Sequence, residues 1–446
     1  MPMDNANFYR DGSREYPVIE RNDGIYVQDD QGRTFIDFGS GIGVTHIGGS
    51  VREVVDRMKA QLDKATFVYN GVFTNGPSQN LAGKLLALAP PNMGGVIFAS
   101  SGSEANEVAI KIARQYHVET GADSRYKVVA RGKSYHGNTL MSLSVSDRPS
   151  WSGPFGPYLQ NVPRISAPYC YRCPLKMEYP SCEVRCAREL DELIEHEGPE
   201  AVSAFIAEPI MGTTVAGVVP PVEYYKIIRE TCDRYGVLFI ADEVITGMGR
   251  TGRNFGIDHW GVAPDIITVA KGLAAGYAPL SAVLVSKKIV AAIREGSGNH
   301  MQGFTYSGNP LSCTAGLAVL EYVEEHDLIR LASVRGEHLG RHLEALKDIP
   351  IVGDVRGRGM FHGIEFVRDR ETKSPFPVET RLTQRIVDRA AELGLIVIAA
   401  MPGCADGVNG DQLQISPALV FSENDIDQAM AVLRRAIESV AAEVMS

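Results

Sequence analysis

Three short stretches carry residue types that could do chemistry together. Ile266-Ile267-Thr268-Val269-Ala270-Lys271-Gly272 sets a lysine at the end of a wholly apolar run. An amine at the edge of an apolar interior loses hydration, which lowers its pKa, and a neutral lysine is the nucleophile of Schiff-base chemistry. A surface lysine snorkelling out of the same run would read alike. Ile240-Ala241-Asp242-Glu243-Val244 ends a second apolar run in two carboxylates, 29 residues before the lysine. Ligands of open α/β sheets bind at the carboxyl ends of strands, where Asp242 would stand, although a cap or a structural ion pair is the plainer use of such an acid. Ser100-Ser101-Gly102-Ser103-Glu104 follows the strand-like Val96-Ile97-Phe98-Ala99 and opens a helical pattern over 106–117. Free backbone N–H groups and the positive end of a helix dipole suit a phosphate there, with simple capping by Ser101 or Ser103 as the alternative.

Each feature is weak alone. Together, an aspartate for a pyridinium nitrogen, a lysine for an imine and a turn for a phosphate are what pyridoxal phosphate requires. A competing motif, Gly247-Met248-Gly249-Arg250-Thr251-Gly252, matches the dinucleotide fingerprint. It continues as loop through Arg253-Asn254-Phe255-Gly256 with no helix opening, so a Rossmann cofactor is set aside.

The elements that must position these residues are legible as pattern. Apolar runs at 95–99, 127–130, 204–206, 237–241, 266–269 and 281–285 alternate with amphipathic stretches. Runs apolar throughout suit strands buried on both faces of a mainly parallel sheet covered by helices, which makes the middle of the chain α/β. The flanks read as a hairpin, Gly24-Ile25-Tyr26-Val27 and Arg33-Thr34-Phe35-Ile36-Asp37 around Asp29-Asp30-Gln31-Gly32, and as an α+β tail. We expect a large domain over 66–330 and a smaller α+β domain assembled from both termini, 1–65 and 331–446. The 446 residues carry 44 Lys and Arg against 54 Asp and Glu, a formal charge of −10, which disfavours a nucleic-acid partner. An N-terminus without an apolar signal core, no membrane-length apolar run and seven cysteines predict a cytoplasmic protein with reduced thiols and no membrane association.

The sequence resembles the class III aminotransferases of the type I pyridoxal-phosphate fold, which include ω-transaminases and 4-aminobutyrate aminotransferase. The resemblance runs from Tyr26 through Ser101-Gly102-Ser103-Glu104-Ala105-Asn106, Tyr135-His136-Gly137, Ala207-Glu208-Pro209, Ala241-Asp242-Glu243-Val244, Gly249-Arg250-Thr251-Gly252, Lys271-Gly272 and Phe304-Thr305-Tyr306-Ser307-Gly308-Asn309-Pro310. It implies a seven-stranded sheet and a ping-pong transfer of an amino group from an amine or ω-amino acid to a keto acid, pyruvate or 2-oxoglutarate. By the same resemblance Lys271 would carry the cofactor and shuttle the substrate proton, and Asp242 would pair with the ring nitrogen. Val244 and Tyr135 would flank the ring, Glu208 would stand near its hydroxyl side, and Gly102 and Ser103 would bind the phosphate. Thr305 would reach the phosphate from a partner subunit, implying a homodimer with shared sites. An amino-acid racemase or aminomutase on this scaffold would use the same Lys271 and Asp242.

The departures concern substrate. Relatives often place a proline after Gly-His where this chain has Gly48-Gly49-Ser50-Val51, and an aromatic near Thr45-His46. No arginine lies between Arg389 and Arg434, so the loop from Met401-Pro402-Gly403 to Asp411-Gln412 cannot supply a carboxylate-pairing guanidinium. Donors without an α-carboxylate, namely amines and long ω-amino acids, are therefore expected. Tyr69, Phe73 and Tyr16 could line an apolar pocket or serve as plain core. Cys170, Cys173, Cys182 and Cys186 have the spacing for a zinc or iron–sulfur site, but inert thiols are the expectation and no metal is assigned.

Overall fold

The computed structural model describes residues 7–12 and 15–445. Its centre is a seven-stranded sheet in the spatial order Met93–Ala99, Ser281–Ser286, Ile266–Val269, Leu238–Asp242, Val202–Ala207, Lys127–Arg131, Arg164–Ile165. Ser281–Ser286 runs antiparallel to both neighbours, and the remaining pairings are parallel. The run Val202–Ala207 shows why these strands lack alternation. Ala204 and Ile206 pack with Val108, Ala109 and Ile112 of the helix Gly102–Glu119, while Phe205 and Ala207 pack with Leu190, Tyr224 and Ile228 on the other face. Both faces are dry, so both sets of side chains must be apolar.

Both chain ends contribute to a separate core. The hairpin Tyr26–Asp29 and Thr34–Asp37 turns where Gly32 takes φ +78° and the Asp29 carboxylate accepts the Gln31 and Arg33 amides. Leu395–Ile396 joins that hairpin in parallel, Leu395 opposite Ile36. Ile25, Phe38 and Ile47 then share one cluster with Leu339, Ile364, Leu433 and Ile437 from the far end of the chain. Val352–Arg358, Phe361–Phe366, Asp411–Ile415 and Ile398–Ala399 form an antiparallel sheet beside them.

The glycine-rich loop after Leu238–Asp242 joins these two bodies. No α-helix opens there; a 3-10 turn, Gly256–Trp260, follows. Gly252 has φ +83°, and a Cβ on it would lie 2.8 Å from the Ser333 Cα. Arg250, fully buried, donates to His46 Nε2 at 3.2 Å, to the Met360 carbonyl at 3.1 Å and to the Pro417 carbonyl. The motif that resembles a dinucleotide turn is a clasp between sheet and terminal segments. No helix among the described residues is long and apolar enough to cross a membrane.

Candidate active site

The carboxyl ends of three strands and one helix N-terminus surround a cavity of about 450 Å³. Gly102, Ser103, Tyr135, Glu208, Asp242, Val244 and Lys271 all line it. Thr305 does not; it is exposed on a neighbouring loop, beside an edge-on pair formed by Phe67 and Tyr306.

Lys271 follows the wholly buried strand Ile266–Val269 and takes φ +40°, a left-handed conformation rare for a side-chain-bearing residue. What holds it there is packing. Gly272 is pressed on the imidazole of His46, where a Cβ would fall 1.9 Å from Cε1. Lys271 keeps a partly exposed face toward the cavity, and among the described residues its amine has no hydrogen-bond partner. Burial lowers its pKa to about 8, against the opposing pull of the Asp242 and Glu208 charges. An amine of that pKa is substantially neutral in mildly alkaline solution, the form that attacks a carbonyl.

Asp242 is 3% exposed and fixed from three sides. His136 Nδ1 donates to Oδ2 at 2.7 Å, Asn106 Nδ2 donates to the same oxygen at 2.8 Å, and the Val244 amide donates to Oδ1 at 3.0 Å. Asn106 is held in turn by the Thr268 hydroxyl at 2.8 Å and donates to the His136 carbonyl at 2.6 Å. Sequence reading singled out none of Asn106, His136 and Thr268 for this role. Three donors orient the carboxylate, so an acid of fixed position faces the lysine across the cavity. The adjacent Glu243 turns inward, accepts the Gly256 and Ile257 amides at 2.8 and 2.7 Å and has its pKa raised to about 7 by burial. It anchors the loop and stays out of the cavity.

The helix Gly102–Glu119 begins at Ser101, whose hydroxyl accepts the Glu104 amide at 3.2 Å. Capping and ligand binding are thus compatible here. The cap engages one amide, and Gly102 and Ser103 still face the cavity. A Cβ on Gly102 would come within 2.9 Å of Val244, so a side chain there would fill the cradle. Glu208 accepts the Tyr135 amide at 2.8 Å and the Gly212 amide at 2.5 Å, and burial raises its pKa. Arg131 beneath it is fully buried and donates to the Glu208 carbonyl at 2.6 Å and to Tyr225 at 3.0 Å.

A planar ring phosphate fits this set. Its phosphate would lie on the helix N-terminus, its ring nitrogen on Asp242, and its faces on Tyr135 and Val244; His136 Nε2, buried without a partner, marks the polar wall behind. Tyr69 and Phe73, 58% and 69% exposed, lie outside the cavity, as does Tyr16. In the loop without arginine, Gln412 is buried and ties the Thr214 and Met401 carbonyls at 2.7 and 2.8 Å. The seven cysteines are unpaired. Burial and the three neighbouring thiols push Cys186 up to about 12. Among the described residues, the three ligand atoms drawn within 4.8 Å of one another belong to His338, His342 and Asp427, not to the cysteines.

With this geometry in hand, the comparisons are unambiguous. The model of the aminotransferase class-III family matches residues 8–437, and the chain belongs to that family. It is a pyridoxal-phosphate-dependent transaminase. It is 40% identical over 429 residues to an uncharacterized aminotransferase, YodT, of Bacillus subtilis (strain 168), covering 96% of each chain. It is 36% identical over 432 residues to the diaminobutyrate–2-oxoglutarate transaminase of Halomonas elongata, covering 95% of this chain and 90% of the other. Among solved structures, the ω-transaminase of Pseudomonas jessenii in complex with PMP superposes with a TM-score of 0.90 at 33% identity, covering 96% of this chain and 94% of that one.

Proposed function

We propose that the enzyme moves an amino group from an amine or ω-amino acid to a keto acid, pyruvate or 2-oxoglutarate, in two half-reactions of ping-pong type. The observation that carries this reading is the Lys271 amine lining the same cavity as the braced Asp242 carboxylate. Lys271 would hold the cofactor, Gly102 and Ser103 its phosphate, Asp242 its ring nitrogen, Glu208 its hydroxyl side, and Tyr135 and Val244 its two faces. When bound, the cofactor supplies an electron sink for the pair left behind when the substrate carbon loses its proton. Lys271 Nζ, already positioned and with a pKa lowered to about 8, takes that proton and returns it. Asp242 would hold a proton on the ring nitrogen, and its bonds from Asn106 and His136 fix the carboxylate for that task.

A homodimer with shared sites is part of this reading. Phe67, Tyr69, Val72, Phe73 and Tyr306 are exposed apolar side chains, and the segments that carry them are tied together through Asn70, Asn75 and Asn309. Such a patch on a transaminase is what a subunit interface covers, and it brings Thr305 to the partner's phosphate site. Unpaired thiols support a reducing, cytoplasmic setting. The test incubates holoenzyme with a panel of amines, ω-amino acids and α-amino acids against pyruvate and 2-oxoglutarate. Transfer of the amino group, lost in Lys271→Ala, is the expected result. Racemisation or migration of the amino group without transfer would move the reading to an isomerase.

A further inference from the structure

Away from the cavity, in the core built from the chain ends, two helices bring three metal-ligating side chains to one point. Leu328–Ala345 carries His338 and His342, four residues apart and therefore on one face. Glu423–Met445 carries Asp427 opposite them. His338 Nε2 lies 2.6 Å from Asp427 Oδ1, and His342 Nε2 lies 2.7 Å from the same oxygen. The two imidazoles stand edge-on, 4.8 Å apart at 69°. Among the described residues this is the one group of three His, Cys, Asp or Glu whose ligand atoms all fall within 4.8 Å of one another.

The triad is held from below and open from above. Leu339 and Leu343 on the first helix and Ile426 and Met430 on the second belong to one buried cluster, which fixes the backbones from which the three side chains rise. Arg335 donates to the Leu419 carbonyl at 2.8 Å on one side of the triad, and Arg434 donates to the Ala345 carbonyl and the Asp348 carboxylate on the other. The side chains of His338, His342 and Asp427 keep 17%, 37% and 50% of their surface, so an ion can reach them from solution. His338 Nδ1 lies 3.2 Å from Arg341 Nη2, which can only donate, so the proton of the neutral ring sits on Nε2 and points at Asp427. A metal at that point takes the Nε2 lone pair, moves the ring proton to Nδ1 and displaces Arg341, whose exposed side chain can swing into solvent.

We infer that His338, His342 and Asp427 bind one divalent transition-metal ion of the zinc type, which clips the helices Leu328–Ala345 and Glu423–Met445 together. Two imidazoles and a carboxylate favour Zn2+, Co2+, Ni2+ or Cu2+ over Mg2+ and Ca2+, which seek oxygen alone. Tetrahedral zinc, with bonds of about 2.0–2.1 Å, sets its donor atoms about 3.3 Å apart. The triad is slightly tighter than that, and the half-exposed Asp427 carboxylate can back off by the difference. Water completes the fourth position. None of the three residues lines the cofactor cavity, so the ion adds a cross-link to the fold and no step to the reaction.

The test titrates Zn2+ into holoenzyme stripped of metal by a chelator and follows binding by calorimetry. One saturable ion per chain is expected in wild type, with affinity weakened about tenfold or more in His342→Gln and in Asp427→Asn. Amino transfer and far-ultraviolet circular dichroism should be unchanged in both variants. Arg341→Ala, which removes the competing cation, should bind at least as tightly as wild type, and millimolar Mg2+ should not compete. Thiols are the rival ligands, so Cys170→Ser combined with Cys173→Ser should leave the affinity as it was. Saturating Zn2+ should raise the thermal midpoint of wild type by about 2 °C or more and leave that of His342→Gln where it is. No saturable binding below millimolar Zn2+, equal affinity in wild type and His342→Gln, weaker binding in Arg341→Ala, or loss of binding with the cysteines overturns the site. Binding without a rise in the midpoint overturns the clip.

Discussion

The pKa of Lys271 makes a prediction about stability that can be worked in advance. Desolvation lowers it from 10.5 to about 8. That gap of 2.5 units, at about 1.36 kcal/mol each, corresponds to about 3 kcal/mol held against the cofactor-free protein wherever the amine is protonated in both folded and unfolded states. The sign follows from proton counting. Between pH 8 and 10.5 the unfolded lysine binds a proton that the folded one does not, so the penalty falls as pH rises through that window. Lys271→Met keeps the side chain's length and removes its charge. The cofactor-free variant should therefore exceed wild type in stability by about 3 kcal/mol at pH 7, about 2 at pH 9 and under about 1 at pH 10, with water in the cavity trimming each figure. Urea unfolding of both apoproteins at matched concentration, followed by far-ultraviolet circular dichroism, measures it. An advantage missing at pH 7, or one undiminished at pH 10, would refute the desolvation argument.

Three further outcomes are expected. Asp242→Asn preserves volume but removes the charge that keeps the ring nitrogen protonated, so single-turnover rates should fall by about a hundredfold or more, roughly 2.7 kcal/mol of barrier; near wild-type rates would contradict the role of Asp242. Mixing inactive Lys271→Ala chains with a Thr305 variant chosen for poor cofactor retention should restore partial activity through hybrid dimers, and no recovery with hybrids confirmed by mass would count against a shared site. For an amine and the α-amino acid of the same side chain, kcat/KM should be at least as high for the amine; a preference for the amino acid of about a hundredfold would reveal an α-carboxylate clamp.

Lys271 and Asp242 were legible because a dry strand makes its polar terminus conspicuous: four or five apolar residues in a row end in a charge. The residues that brace Asp242 had no such contrast. Asn106 sits one turn into a helix and His136 between a tyrosine and a glycine, where polar residues are ordinary. Their convergence depends on contacts 136 and 106 residues away along the chain. The fold class followed from the same contrast between dry strands and half-wet helices, whereas the clasp at Arg250 did not, because a glycine-rich loop looks the same whether it cradles a ligand or another backbone.

The parallel pairing of Thr34–Asp37 with Leu395–Ile396 bears on how the protein is made. At a synthesis rate of about 5–20 residues per second, the hairpin leaves the ribosome roughly 20–70 seconds before the strand that completes its sheet. For that interval Ile25, Phe38 and Ile47 lack the C-terminal side chains that bury them in the finished molecule. The central sheet closes with Ser281–Ser286 and can assemble while the N-terminal hairpin is still waiting. A chain released early, before residue 395, would thus carry a complete set of central strands and an uncovered apolar hairpin, the form a chaperone or a protease should recognise first.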